Sequence, residues 1–343
     1  MEIMIKTAEL FRAREDELLS PYAFKSANTR GRVSFAEPCP YRTEFQRDRD
    51  RIVHSKSFRR LMHKTQVFFA PEDEQFRTRM THTLEVTQLA RSIARALRLN
   101  EDLTEAIALG HDLGHTPFGH EGENVMRKCF SPDFSHYKQS LRVVDFLERS
   151  GKGLNLTYEV RDGIVNHTGS NMASTLEGVV VKFADRIAYV NHDLDDAFFA
   201  GILTKNDIPR PLIPFFGTTY SHRVDTMVGA VIEASLDKNE ISMIPEIYEA
   251  MMEMRAFLTE HVYRNSPAKS EQKKAEELLS RLYEHFFTYP EEMPTFYYEN
   301  TVAEGVGRMV CDYISGMTDR YAIETYRRLF VPEVWKGKRH AND

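Results

Sequence analysis

The chain has 343 residues, enough to bury a sizeable core as one large domain or two modest ones. Its 45 Lys and Arg residues face 51 Asp and Glu residues, and the resulting net charge of −6 argues against a protein whose whole surface binds nucleic acid. The three cysteines form no CxxC pair, which argues against a disulfide framework or a zinc ribbon and favours a reducing compartment.

The N-terminal twenty residues mix acidic and apolar side chains, which a secretory signal peptide does not do. No stretch approaches the roughly 20 consecutive apolar residues that a helix needs to cross a bilayer. We therefore expect a cytoplasmic protein with no membrane partner.

A basic run follows between Arg42 and Lys64, where eight Lys and Arg residues stand against three acidic residues. In a chain that is acidic as a whole, this run could contact phosphate. It could equally be a solvated helical face with Asp–Arg pairs four residues apart. The residues alone leave both interpretations open.

Helical periodicity dominates the rest of the chain. In THTLEVTQLARSIARALRL, the apolar residues at steps of three and four are Val86, Leu89, Ile93 and Leu97. The next segment repeats this spacing at Leu103 and Ile107, and Asn100 with Asp102 offers N-terminal capping. Further helices are predicted at about 138–150, 157–168, 174–200, 221–237, 244–263, 269–287 and 301–329.

Strand-like alternation is almost absent; GRVSF and KTQVFFA could pair as a minor β-hairpin. The proline-rich residues 208–216 cannot lie inside a helix, so they separate two helical halves. We favour a loop over one continuous bundle rather than a linker between domains. The sequence therefore predicts an all-α protein with a single domain over residues 1–343.

One stretch concentrates ionisable groups: ALGHDLGHTPFGHEGE, from residue 108 to residue 123, holds three histidines and three carboxylates. His82 and His111 share the buried faces of their predicted helices, and Asp112 adjoins His111. Asp185 follows the apolar run VVVKFA, and burying its charge there costs several kcal/mol without a cation nearby. These two imidazoles and two carboxylates could hold Mn, Fe, Co, Ni, Zn or Mg, or could be ordinary hydrogen-bonded core residues.

The H…HD…D order resembles that of the HD phosphohydrolase superfamily. Longer runs are similar to the deoxyguanosinetriphosphate triphosphohydrolase (dGTPase) family, in its dGTPase-like branch: DRDRIVHSKSFRRLMHKTQVF, RTRMTHTLEV, HDLGHTPFGHEGE, FADRIAYVNHDLDDA and DYISGMTDRYA. The resemblance runs in order from about residue 42 to residue 330. It implies an HD-domain helical bundle with a core over about 50–200 and additional C-terminal helices over about 221–335.

The resemblance also implies roles for individual residues. The implied metal ligands are His82, His111, Asp112 and Asp185. The implied catalytic residues are His120, Glu123, which would hold a ring nitrogen of His120, and His115, which would contact phosphate. The implied substrate contacts are Arg79 and Arg60 on the triphosphate, Gln66 on the 3′-hydroxyl, and Tyr189 with Asp193 on the deoxyribose. His136 and His167 match histidine positions that either line the pocket or cap a helix.

The implied activity is metal-dependent hydrolysis of a 2′-deoxynucleoside 5′-triphosphate (dNTP), dGTP among them, to deoxynucleoside and triphosphate. Two alternatives remain at this point: another HD phosphohydrolase, such as a nucleoside monophosphatase or nucleotide-signal hydrolase, or a nucleotide- or single-stranded-DNA-responsive regulator with weak catalysis. Members of the family assemble as dimers, tetramers or hexamers, and some respond to a dNTP or single-stranded DNA effector. The methionines at 251, 252 and 254 would suit subunit packing or an ordinary core.

Overall fold

The computed structural model describes residues 6–66, 76–264 and 269–332. Within these ranges every regular element is helical, which confirms the all-α prediction. The described residues contain isolated β-bridges and no strand: Arg32 pairs with Thr157, and Thr65 pairs with Thr78. The first half of the expected hairpin therefore pairs elsewhere, and residues 67–70 of its second half lie outside the described residues.

Seventeen α-helices lie in the described ranges. The first nine are α1 (Thr7–Leu18), α2 (Glu44–Val53), α3 (Lys56–Arg60), α4 (Arg79–Ala96), α5 (Glu101–Gly110), α6 (Gly119–Cys129), α7 (His136–Arg142), α8 (Tyr158–Asn166) and α9 (Leu176–Phe199). The others are α10 (Ile213–Phe216), α11 (Tyr220–Ser235), α12 (Pro245–Leu258), α13 (Lys269–Thr288), α14 (Thr295–Glu299), α15 (Thr301–Glu304), α16 (Val306–Ser315) and α17 (Asp319–Phe330). None of these helices combines the length and apolarity that a membrane span requires.

Some predicted boundaries need correction. The helix expected over 301–329 is three helices, because Gly305 adopts a φ of 89° and Thr318 caps a new helix by accepting the backbone N–H of Tyr321. The helix expected over 138–150 changes to a π-helical turn at Val143–Leu147. The proline-rich loop contains the four-residue helix α10, which tolerates Pro214 because the first turn needs no N–H from it.

The hydrophobic core has two clusters. In the first, α4 packs against α5 and α9, with α2 and α8 alongside. Helix α8 approaches α5 closely because residue 163 is glycine; a β-carbon there would lie 2.4 Å from Ile107 Cδ1. In the second cluster, α6 packs on α13, and α13 on α16. The segment between α5 and α6 joins the two, since Leu113 belongs to the first cluster and Phe118 to the second.

Much of the basic run is paired inside the fold. Arg42 and Arg49 both donate to Asp50, at 2.6 and 3.1 Å, and Arg49 also donates to Glu105 at 3.4 Å. Asp48 is fully buried and forms an ion pair with Arg32, and Lys64 is buried as well. These contacts favour the interpretation of the run as internally paired helices over that of a free phosphate-binding surface.

Glu177, in the first turn of α9, ties the N-terminal segment to the bundle. Its Oε1 accepts the backbone N–H groups of Phe24, at 2.9 Å, and of Asn100, at 3.0 Å. Its Oε2 is buried with no hydrogen bond. Because burial disfavours the carboxylate, the pKa of Glu177 rises to about 7.

We predict that Glu177→Gln stabilises the protein at pH 8 and flattens its stability between pH 5 and pH 8. An acid whose folded pKa lies above its unfolded value loses stability as the pH rises between the two. The shift to about 7 corresponds to about 3 kcal/mol at pH 8, which the neutral amide would recover while keeping one acceptor. Urea unfolding at both pH values measures this change. Glu177→Ala, which removes the acceptor, should destabilise at both, and an unchanged pH slope in Glu177→Gln would contradict the prediction.

Candidate active site

A cavity of about 390 Å³ is lined in part by α4, α9 and α12, helices that all contribute to the first core cluster. The described residues that line it are Gln66, Arg79, His82, Asp112, His115, His120, His136, His167, Thr168, Gly169, Asp185, Arg186, Tyr189, Val190, Met251, Met252 and Arg255. Such a volume matches that of small-molecule sites in general. The structure thus brings side chains from α4 to α12 to one place.

Three of the four expected metal ligands, His82, Asp112 and Asp185, line this cavity, and the fourth, His111, lies beside them. His82 comes from α4, His111 and Asp112 follow α5, and Asp185 comes from the middle of α9. Nε2 of His82 lies 3.2 Å from Oδ1 of Asp185, and Nε2 of His111 lies 3.7 Å from Oδ1 of Asp112 and 3.8 Å from Oδ1 of Asp185. The consecutive helices α4 and α5, together with the sequence-distant α9, therefore bring two imidazoles and two carboxylates together.

The ring of His111 gives a test of whether a metal fits. Its Nδ1 lies 2.6 Å from the backbone oxygen of Ala108, an arrangement that places the proton on Nδ1. Its Nε2 is therefore bare, and it is buried with no hydrogen-bond partner. A buried acceptor without a partner is costly, and this one faces two carboxylates. The chemistry of the four donors fits a borderline or hard divalent cation that would coordinate Nε2.

Charges at the base of the cavity compensate one another. Burial disfavours the carboxylate of Asp112, but nearby positive charge, which includes Arg79, outweighs it and holds its pKa well below the ordinary value. Burial acts on Asp185 in the same way, and the hydrogen bond with His82 nevertheless lowers its pKa. Burial disfavours the imidazolium of His82, yet Asp185 raises its pKa above the ordinary value. The site therefore carries ionised carboxylates that need positive charge beside them.

A second group of imidazoles lines the same cavity. The rings of His115 and His136 stack, with centroids 4.5 Å apart and planes 14° apart, and His136 lies 5.4 Å from the ring of His167. Burial holds the pKa of His115 well below its ordinary value and lowers that of His167 to about 3, so both rings are neutral. His136 and His167, whose roles the sequence left open, both line the cavity.

Glu123 contacts this group through His136. Burial opposes its charge, but the contacts with His120 and His136 lower its pKa strongly. It accepts hydrogen bonds from the side chain of Arg127, at 2.6 Å, and from the backbone of His136, at 3.2 Å. His120 is mostly exposed and its Nδ1 lies 3.7 Å from Oε2 of Glu123, an ion-pair distance rather than a hydrogen bond. Glu123 therefore holds His136 more tightly than the expected partner His120.

The loop between α5 and α6, which carries His115 and leads to His120, is held by contacts from other parts of the chain. Phe118 and Gly119 adopt φ values of 60° and 59°, which turn the chain into α6. Asp319 at the start of α17 accepts the backbone N–H of Phe118 at 2.9 Å and that of Thr65 at 2.9 Å. Lys64 donates to the backbone oxygens of His115 and Ser315, and burial lowers its pKa to about 7. The C-terminal helices thereby position the histidine loop.

Not every expected substrate contact is at the cavity. Gln66, Arg79 and Tyr189 line it, although Arg79 also donates to Asp112 at 2.7 Å. Asp193 is fully buried within α9 and is not among the described lining residues. Arg60 lines a different cavity, among residues of α14, α16 and α17. The structure thus does not place Asp193 or Arg60 where a shared ligand would reach them.

Several residues that line the cavity were not expected there from the sequence. They are Thr168, Gly169, Arg186, Val190, Met251, Met252 and Arg255. Met251 is buried, as expected for a methionine of the core, and it also lines the cavity. The exposed Arg255, one helical turn later, lines the cavity as well. Only the packing of α12 on α9 reveals this placement.

We predict that Asp185→Asn weakens Mn²⁺ binding by at least about 100-fold, since it removes a charged donor. Isothermal titration calorimetry on the full chain measures the affinity. Asp195→Asn, which removes the same charge from the same helix outside the described lining of the cavity, should bind as the unaltered protein does. Equal affinity in both variants would remove Asp185 from the metal site.

Comparisons with known proteins agree with this geometry. An HD domain model matches residues 79–190, and a model for the phosphohydrolase-associated domain matches residues 241–328. A deoxyguanosinetriphosphate triphosphohydrolase-like protein of Caldanaerobacter subterraneus subsp. tengcongensis is 54% identical, over 96% of this chain and 98% of that protein. A protein of the same name from Desulfatibacillum aliphaticivorans is 47% identical, over 94% and 98%.

One solved structure has the same fold. A phosphohydrolase from Bacteroides thetaiotaomicron superposes with a TM-score of 0.53 at 18% sequence identity. The superposition covers 81% of this chain and 66% of that one.

Proposed function

This chain belongs to the family of deoxyguanosinetriphosphate triphosphohydrolase-like proteins, whose shared region here includes an HD domain, and we propose that it hydrolyses dNTPs to deoxynucleoside and triphosphate. The observation that carries the proposal is the cavity lined by His82, Asp112 and Asp185, with Nε2 of His111 3.7 Å from Asp112 and 3.8 Å from Asp185. Its lining combines three of the four donors with cationic and imidazole side chains, the composition that a polyphosphate ester requires.

The reaction adds one water molecule across the bond between the nucleoside 5′-oxygen and the α-phosphorus. The water oxygen remains on the triphosphate, and the 5′-oxygen takes up a proton as it leaves. A divalent cation held by the four donors would act as a Lewis acid on the phosphoryl group and favour ionisation of water. Mn, Mg, Fe, Co, Ni and Zn all remain compatible with two nitrogen and two oxygen donors.

The chain's own residues supply the remaining chemistry. His120 is exposed at the cavity and has Glu123 3.7 Å from its Nδ1, so the carboxylate can support the imidazolium that delivers a proton to the 5′-oxygen. The Nδ1 atom of neutral His115 is buried and has no hydrogen bond, so it is available for the expected contact with a phosphate. Arg79 supplies positive charge for a phosphate, and it is held in place by Asp112.

Tyr189 and Gln66 are proposed to bind the sugar, at the 2′ side and the 3′-hydroxyl respectively. Both line the same cavity as the donor set. A tyrosine ring against C2′ would exclude a 2′-hydroxyl by steric contact. The expected dNTP or single-stranded DNA effector and the expected assembly into dimers, tetramers or hexamers stay predictions.

Product analysis tests the proposed function directly. With dGTP and Mn²⁺, we expect equal amounts of deoxyguanosine and intact triphosphate, separated by ion-exchange chromatography. Release of orthophosphate or pyrophosphate would overturn the assignment and favour a different HD phosphohydrolase. The same assay with the four dNTPs, and with Mg²⁺ in place of Mn²⁺, defines the base preference and the metal.

We predict that His120→Ala lowers kcat by about 10²- to 10⁴-fold, because it removes the proton donor to the leaving oxygen. Calorimetry should show the Mn²⁺ affinity of the unaltered protein, since His120 is not one of the four donors. His54→Ala, at an exposed position beyond α2, serves as the matched control with unchanged kcat. Full turnover in His120→Ala would exclude this histidine from the reaction.

A further inference from the structure

The metal ligand His82 has a second ring nitrogen, which faces away from Asp185 and towards His192 of α9. The two Nδ1 atoms lie 3.3 Å apart and share a hydrogen bond, while Nε2 of His82 faces Asp185 at 3.2 Å. The rings meet edge to face, with centroids 5.5 Å apart and planes 88° apart. His192 is fully buried, so this contact is shielded from water.

Beyond His192 lies a carboxylate. Nε2 of His192 is 3.0 Å from Oε2 of Glu85, at an angle off the line of an ideal hydrogen bond. Arg77 donates to the same Oε2 at 3.1 Å and also pairs with Asp196, so the Glu85 carboxyl group is held in place. The ring of Tyr220 stacks on that of His192, with planes 13° apart, and fixes its orientation.

These contacts select one proton arrangement. A buried neutral imidazole carries one proton, and the nitrogen that faces a carboxylate at 3.0 Å must bear it to avoid repulsion between lone pairs. The proton of His192 is therefore on Nε2, and its Nδ1 is an acceptor. The shared hydrogen bond then requires that Nδ1 of His82 donates. By the same argument Asp185 favours a proton on Nε2 of His82; a cation bound there would take the place of that proton, and Nδ1 of His82 would remain the donor to His192.

We propose that His192 and Glu85 are positioning residues that keep the proton of the cation-bound His82 on Nδ1 and so leave its Nε2 to the cation. This inference rests on the proposed metal site and names the residues that prepare one of its ligands. A metal-bound histidine commonly donates its other N–H to a neighbouring acceptor, and loss of that acceptor costs about 10- to 100-fold in metal affinity. Here the acceptor is a second histidine, oriented in turn by a carboxyl group and an aromatic ring.

Nuclear magnetic resonance of the metal-free full chain tests the proton arrangement directly. With ¹⁵N-labelled histidine, multiple-bond correlation spectra distinguish Nδ1–H from Nε2–H rings, and single His→Asn substitutions assign the signals. We expect His192 to be protonated on Nε2 and His82 to carry a proton on Nδ1. A spectrum with the proton of His192 on Nδ1 would overturn the inference whatever the enzyme does.

Mn²⁺ affinity, measured by calorimetry, tests the consequence. His192→Leu removes the acceptor while keeping bulk, and we expect a loss of about 10- to 100-fold. His192→Asn places its amide oxygen close to where Nδ1 was, so the affinity should return to within about threefold of the unaltered protein. Equal losses in both variants, with both folded by circular dichroism, would mean a purely structural role and would overturn the proposal.

The role of Glu85 is tested by measuring whether its effect on Mn²⁺ affinity depends on His192. We expect Glu85→Gln to weaken Mn²⁺ binding in the unaltered protein and to have no further effect in the His192→Asn background, which cannot present Nε2. Asp195→Asn removes a carboxylate from the same Arg77 cluster without touching His192 and should leave the affinity unchanged. Additive losses from Glu85→Gln and His192→Asn would overturn the linked arrangement.

The outcomes separate this inference from the proposed function. Mn²⁺ binding that depends on His192 as described, in a protein that releases no triphosphate from dNTPs, would support the inference and overturn the function. Triphosphate release with Mn²⁺ affinity independent of the residue at 192 would support the function and overturn the inference. An unaltered protein that binds no divalent cation would overturn both.

Discussion

The charge of two partly enclosed carboxylates dominates this structure. Asp112 and Asp185 are ionised at the base of a cavity, and neither could remain so without cationic partners. Arg79 pairs with Asp112, and His82 with Asp185, so the described residues already balance part of this charge. A divalent cation would supply the same compensation more strongly and would also satisfy the bare Nε2 of His111.

Rigid helices make this concentration of charge possible. Helices α4, α5 and α9 pack against one another in the first hydrophobic cluster, and each presents its polar donors at the edge of that cluster. Because close-packed helices shift little, the donors can be held at contact distances without collapsing onto one another. The hydrogen bond between His82 and His192, and the contact of His192 with Glu85, continue this ordered packing beyond the four donors.

The histidines that we propose to take part in the reaction lie on a different kind of element. The segment from His111 to His120 leaves the first cluster and enters the second at Phe118, so its shape depends on both. Lys64 and Asp319 fasten it through backbone groups, one of them from the C-terminal region that matches the phosphohydrolase-associated domain. The C-terminal helices thereby contact a site whose four expected metal donors all lie in the region that matches the HD domain.

The sequence by itself determined the helical class, the main helices and the types of donor, because these follow from local periodicity and composition. It also grouped His82, His111, Asp112 and Asp185 through a family resemblance. Tertiary packing decided which other side chains reach the cavity. On a helix, Tyr189 is rotated about 40° from Asp185 and Asp193 about 80°, and only the former still faces the cavity. Likewise Arg60, Met251, Arg255 and His192 have their places set by which helix packs beside them, and no local pattern encodes that neighbour.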